Sequence, residues 1–456
     1  MSTVGLSFGS PTSGAGFDVA TTVAAILANE DGIQTTEQTQ LTTLQAQDTV
    51  FSTLGTDLST LTTNLQALTD ADGAFATKEG SSSNTNILTL TNADSSAVAG
   101  THNVVVNSLA TTASDVSAEI ANSTDTLSGR LTINGQQVTV VSGTSDTLAT
   151  LATAINKAAV GVTASIITDA NGARLSLVSN TSGSGGAIAI TNNTLTDSTT
   201  STAVSFPSNQ SQTGTNASLT VDNISISSAS NTVTGAIPGV TFQLVSSSPG
   251  TNVQIVVTND NDAIETAVSS LVTAYNAVVT DISGQESNNS SGSAEPLFGS
   301  PTLSLIQNQL QSAIFGGTAS GSINSITQLG VETQPDGTLT LNTSTLDNAL
   351  NSNFSDIASY FQNSGSFGEN FASVLNGLGT QAPGGAIYLA QQQNSTQETA
   401  INAELTTQKA AAAAESTALT TELNTANQEL QAIPEQLSEI NQIYSAITGY
   451  DQNING

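Results

Sequence analysis

The one imidazole of this 456-residue chain, His102, lies in Thr101-His102-Asn103-Val104-Val105-Val106, whose β-branched residues predict a strand. It could serve as a general base only if a nucleophile and an orienting acid converged on it, and the sequence groups none there. The expectation is a histidine on a strand surface. Cysteine is absent, which excludes disulfides and thiolate metal sites, and a single histidine excludes a multi-histidine metal site. Asn259-Asp260-Asn261-Asp262 offers oxygen ligands for calcium but lacks the glycine and closing glutamate of a hand-type loop. Asp262 before Ala263-Ile264-Glu265 reads instead as a capping box that opens a helix. With 36 Asp and Glu, paired-carboxylate hydrolysis is open on count alone. The lack of tryptophan and an aromatic share of 4% argue against a sugar-stacking cleft. The expectation is a protein that is not an enzyme and uses no metal or cofactor.

Charge narrows the partners. Lys78, Arg130, Lys157, Arg174 and Lys409 are the only cations against those 36 acids, a net charge of −31. They cannot form the basic stripe that nucleic acid or an anionic membrane surface requires. No window approaches 18 uninterrupted apolar residues, so no membrane insertion is expected. Met1–Pro11 has neither the basic nor the apolar region of a cleavable leader. An acidic, cysteine-free, Ser/Thr-rich chain suits an extracellular surface reached unfolded through a narrow export channel. A cytosolic protein that merely lacks cysteine fits the composition too.

With no reacting groups to position, the elements carry the information. Asp18 is placed to cap a helix with Val19, Val23, Ile26 and Leu27 on one face. In a longer helix beyond it, Phe51, Leu54, Leu58, Leu61, Leu65 and Leu68 recur at heptad spacing. Leu419, Leu423, Ala426, Leu430, Ile433, Leu437, Ile440, Tyr444 and Ile447 repeat that spacing at the other end, with Pro434 expected to kink or break the helix. Glu415, Glu422 and Glu429 flank this seam with no cation to meet them, and residues 1–70 hold seven acids and no Lys or Arg. Apolar packing must therefore exceed mild repulsion. The ends are expected to be loosely held alone and to order against a partner, with an ordinary intramolecular bundle as the alternative.

The middle, about residues 80–259, alternates β-branched runs with turn residues. Asn134-Gly135 and Asn171-Gly172 mark hairpins, and one helix carries Leu148, Leu151, Ala152 and Ile155. Asn180–Gly186, Asn192–Thr202 and Ser208–Asn216 read as exposed loops. Helices resume near Asp262, over Leu303–Ile314 and over Leu346–Phe361, before a Gly-rich break at Gly365–Gly385.

In this order the segments resemble the flagellar filament-capping proteins, the flagellar hook-associated protein 2 family. Gly14-Ala15-Gly16-Phe17-Asp18-Val19 is similar to the opening of that family, and Phe51-Ser52-Thr53-Leu54 through Leu68 to its first helix. Gly100–Ala110 and Asn231–Phe242 are similar to its two middle signatures. Asp146–Asn156 with Val162–Ser165 resembles the motif shared by flagellins and hook-associated proteins. Leu271–Asn276 and Leu329–Leu339 resemble its C-terminal domain. The departures are at the ends: Asn29-Glu30-Asp31-Gly32 stands where the family usually has Lys or Arg, Lys409 is the only cation of the last helix, and Pro434 is unusual.

The resemblance implies an α+β multidomain fold, with helical, coiled-coil terminal segments and a helical bundle-like domain enclosing inserted β-rich domains. The expected division is 1–45 with 386–456 as terminal segments and 46–79 with 260–385 as the bundle. Residues 80–115 with 217–259 make one β-rich domain, and 116–216 an inserted tip domain. The implied protein is secreted through the flagellar type III export apparatus with an export chaperone. It sits at the distal filament tip as a homo-oligomeric, pentamer-like ring, contacts flagellin and hook–filament junction proteins, and helps arriving flagellin fold and insert. The expected partner-binding residues are Phe51, Leu54, Leu58, Leu61 and Leu65 with Leu419, Leu423, Leu430 and Leu437. Another flagellar axial protein, either a junction protein or a flagellin, shares the helical ends and the middle motif. A secreted β-rich adhesin is the alternative from a different class.

Overall fold

Asp18 caps the first helix: its Oδ1 accepts from the Thr21 N–H at 3.2 Å and its Oδ2 from the Thr21 hydroxyl at 2.8 Å. The computed structural model describes residues 16–140, 146–316 and 321–449. The helices are α1 (Val19–Thr69), α2 (Leu148–Ala158), α3 (Asn261–Gln285), α4 (Pro301–Phe315), α5 (Thr343–Gln362), α6 (Phe367–Leu378) and α7 (Ala386–Thr448). α1 is one helix of 51 residues where the sequence suggested two. α7 has 63 residues and continues past Pro434 to Thr448, so the proline does not break the helix. The hydroxyl-rich composition is compatible with such long helices because the hydroxyls turn back on the helix. Thr49, Ser52 and Thr56 each donate to the carbonyl four residues earlier, at 2.8–3.0 Å.

The chain divides into two compact units, Met1–Thr69 with Glu265–Gly456 and Asp70–Ile264. In the first, α1 packs against α5, α6 and α7. Leu54, Leu58, Leu61, Leu65 and Leu68 are fully buried, as are Leu271, Tyr275 and Val278 of α3. Tyr360 stacks on Phe367 with centroids 5.0 Å apart, and Phe361 meets Phe367 edge-on at 5.6 Å, which locks α5 to α6. Gly368 is required at that junction, since a Cβ there would lie 2.0 Å from the Phe361 carbonyl oxygen and 2.7 Å from Thr69 Cγ2.

The second unit is built from antiparallel strands around two separate apolar clusters. In one, Gly100–Ser108 lies between Val253–Asn259 and Ala217–Val221 in a five-stranded sheet. Val104, Val106, Leu219, Phe242, Val253 and Ile255 fill that core. In the other, α2 covers strands that include Gln136–Val140, Val162–Thr168 and Ala173–Ser182, and Leu127–Ile133 pairs with the first of these. Leu131, Ile133, Leu151, Ile155, Leu175 and Leu177 are buried there. Asn134 and Gly135 take φ of 50° and 82°, the left-handed pair that a two-residue hairpin needs. Asn192–Thr202, with the two residues after it, is not the simple exposed loop expected from the composition of 192–202. Thr196–Asp197 and Thr202–Ala203 pair as short strands, and Leu195 and Val204 close the core at 2% and 3% exposure. Two apolar residues among many hydroxyls suffice to fold such a segment inward.

Candidate functional site

α1 and α7 run antiparallel, held by a ladder of polar contacts. The Phe17 N–H donates to Asn427 Oδ1 at 2.9 Å, and Gln408 Nε2 donates to Glu37 Oε1 at 2.9 Å. Asn394 Nδ2 donates to Asp48 Oδ1 at 2.8 Å, and Gln391 Nε2 to Ser52 Oγ at 3.1 Å. Numbers rise along one helix as they fall along the other, so a single register holds throughout. The terminal helices are thus paired within the chain, where the sequence favoured loose ends awaiting a partner. Uncharged amides can hold two acidic helices together without cations.

Burial along this pair is graded. Phe51, Leu54, Leu58, Leu61 and Leu65 are 0–3% exposed, so the α1 half of the expected docking set is taken up in intramolecular packing. Val23, Leu41 and Leu44 on α1 and Ile387 and Leu405 on α7 are also buried. Farther along α7, Leu419, Leu423 and Leu430 are half-buried, and Leu437 is exposed. Ile440, Ile443, Tyr444 and Ile447 are 60%, 59%, 47% and 78% exposed. The structure therefore brings the α1 residues together in the core, leaves Leu419, Leu423 and Leu430 half-buried along the pair and sets Leu437 on the surface.

The exposed stripe follows from register. Gly16 and Phe17 lie beside Asn427 and Gln431, so α7 beyond Gln431 extends past the described start of α1. Up to Thr448 that overhang is about 25 Å of helix. Sequence reasoning placed Ile440, Tyr444 and Ile447 in the seam without singling them out as contacts, and it missed Ile443. The signal was present: four isoleucine or tyrosine residues within eight positions. Transferring Leu437, Ile440, Ile443, Tyr444 and Ile447 from water would contribute roughly 5 kcal/mol, allowing for partial burial already achieved. Glu435 and Glu439 stand exposed on the same stretch.

Chemistry elsewhere is structural. His102 Nδ1 lies 2.7 Å from Asp222 Oδ2, and Asp222 Oδ1 accepts from the Asn103 N–H at 2.9 Å. The His102 bond, followed by that N–H, holds the Asp222 carboxyl below its usual range. Asp222 and Asn223 form the turn between Ala217–Val221 and Ile224–Ser228, so the pair clasps a hairpin to its neighbouring strand. The cap of α3 is Asp260, which accepts from the Ala263 N–H at 2.9 Å, rather than Asp262. Asn259 Oδ1 accepts from Lys78 Nζ at 2.9 Å. Among the described residues no group of three His, Cys, Asp or Glu is arranged to hold a metal, and no helix is long and apolar enough to cross a membrane.

Comparison with known proteins agrees with this architecture. The family model described as Flagellar hook-associated protein 2 C-terminus matches residues 214–447, and that of its N-terminus matches 15–113. A flagellin hook IN motif matches 130–181. The B-type flagellar hook-associated protein 2 of Pseudomonas aeruginosa is 30% identical over 382 residues, 77% of this chain and 78% of the relative. Flagellar hook-associated protein 2 of Escherichia coli K12 is 29% identical over 62% of this chain and 67% of its own length. Among solved structures, the flagellar cap protein FliD D1-D2-D3 domains from Escherichia coli are similar at 27% identity. The TM-score is 0.57, with 76% of this chain and 99% of that one covered. The flagellin-type match is confined to residues 130–181, whereas the hook-associated matches span both helical ends, which sets aside the junction-protein and flagellin alternatives.

Proposed function

This chain belongs to the flagellar hook-associated protein 2 family, and on that premise we propose that it caps the distal end of a bacterial flagellar filament, retaining exported flagellin and promoting its folding and polymerisation. The observation that carries the mechanism is the α7 overhang. Leu437, Ile440, Ile443, Tyr444 and Ile447 present a helical stripe that is exposed among the described residues, suited to the apolar helices of filament subunits. Leu419, Leu423 and Leu430 continue it in half-buried form. Phe51, Leu54, Leu58, Leu61 and Leu65 do not dock; they hold α1 in the unit that presents α7.

The energetics suit a cap that must release and rebind. A stripe worth roughly 5 kcal/mol is largely offset by the cost of association, so one subunit binds weakly. Several linked copies bind firmly, while each can let go in turn. The two apolar cores of Asp70–Ile264 support reading that unit as two inserted domains, 80–115 with 217–259 and 116–216. The role is structural and no catalytic step is assigned. The partners are further copies of this chain, flagellin and the hook–filament junction proteins, with an export chaperone and the type III apparatus during secretion.

The test is loss of the gene. A strain without this chain should shed unpolymerised flagellin into the medium and grow short filaments or none. Normal filaments and unimpaired swimming would refute the reading.

A further inference from the structure

The chain has 12 phenylalanines. Among the described ones only Phe298 and Phe315 are exposed, at 55% and 47%, and they bracket α4. Leu303, Ile306, Leu310 and Ile314 give that helix a fully buried inner stripe. Its outer side carries Leu305, 44% exposed, with Asn308, Gln309 and Ser312. From Pro296 to Val331 there is no Asp, Glu, Lys or Arg, in a chain of net charge −31. Among the described residues, an uncharged helix face carrying Leu305 and Phe315, with Phe298 just before it, is thus exposed on a strongly acidic protein.

We propose that the outer face of α4 is the surface through which one copy of this chain binds a second copy. The occupant follows from charge. A second copy carries the same −31, so contact through any acid-bearing face places like charges within a screening length of about 8 Å. The α4 face lowers that cost: its own residues carry no charge, and the acids near it, Glu295 beside Phe298 and Glu369 next to Asn370, stand at its edge. It also has the composition of an interface core, which is depleted in charge and enriched in aromatic residues. The α7 stripe is flanked by Glu435 and Glu439 and suits a partner other than an equally acidic copy. The inference rests on the capping reading only for the need to self-assemble.

Sedimentation velocity of the full chain over a dilution series, without filaments, tests it. The native chain should associate, more strongly as salt screens the acids. Leu305→Asp with Phe315→Asp should raise the dissociation constant at least about tenfold with an unchanged melting temperature. Leu305→Ser with Phe315→Ser decides the matter if the aspartates disturb the fold. Leu437→Asp with Ile440→Asp should associate like the native chain. A native chain that is monomeric at every concentration, or serine variants that associate as well as it does, would overturn the proposal. Failure of the capping reading would appear separately, as a native chain that self-associates but does not bind filament ends.

Discussion

Asp57 on α1 and Asp281 on α3 meet as a hydrogen-bonded carboxyl pair. Burial pushes Asp57 up to about 6, with the hydrogen bond to Asp281 and its charge acting in the same direction. The only cation of this unit is Lys409, far along α7, beside Gln38 and Thr42. The folded state therefore holds a proton on Asp57 that the unfolded chain releases near 3.8. Its contribution is full below that value and is lost as pH rises through about 6. Asp57→Asn should remove this slope and raise stability at pH 7 by roughly 1 kcal/mol, after discounting for solvent exposure. Unfolding by denaturant at pH 4.5 and 7 checks it. Equal slopes in native and variant chains would show that Asp57 is not shifted.

The two halves of the heptad set should behave oppositely. Leu58→Ala empties a site 1% exposed and should cost about 3 kcal/mol in denaturant unfolding. Leu437→Ala, on the α7 surface, should cost less than about 0.5 kcal/mol. Similar costs at both sites would mean that the overhang is covered within the chain.

How much of this was legible beforehand is clear from the same pair. Periodicity located both helices, and turn residues located the β-rich middle, because each depends on neighbours in sequence. Phe51–Leu65 and Leu419–Leu437 have the same spacing, yet one set is core and the other runs from half-buried to exposed, since spacing says that a face wants a partner but not which partner. The α1–α7 register depends on Asn394 with Asp48 and Gln408 with Glu37, amide contacts that no apolar pattern announces. Pro434 does not break α7, because a proline that removes one donor from a long, partly solvated helix need not end it.

Glu37 is the weak point of the paired helices. Its Oε1 accepts from Gln408, but its Oε2 is buried with no hydrogen-bond partner. Glu37→Leu removes that orphan and extends the apolar seam, so α1–α7 pairing should tighten by roughly 1 kcal/mol. Slower amide exchange in residues 400–412 is the expected readout. Faster exchange there would mean that the Gln408 bond outweighs the orphan oxygen.

Pro434 denies Leu430 its helical hydrogen-bond donor inside α7. Pro434→Ala should stiffen the overhang, lowering amide exchange between residues 430 and 448 by tenfold or more, an effect of about 1.4 kcal/mol or greater. If exchange is unchanged, the proline is already accommodated without cost.

The central claim, that the α7 overhang is the grip on the filament, is tested most directly by imaging fluorescently labelled chain on preformed flagellin filaments. The native chain should mark one end of each filament. Leu437→Asp with Ile440→Asp should leave the ends dark while keeping the native melting temperature. End-marking by that variant at the native level would contradict the account.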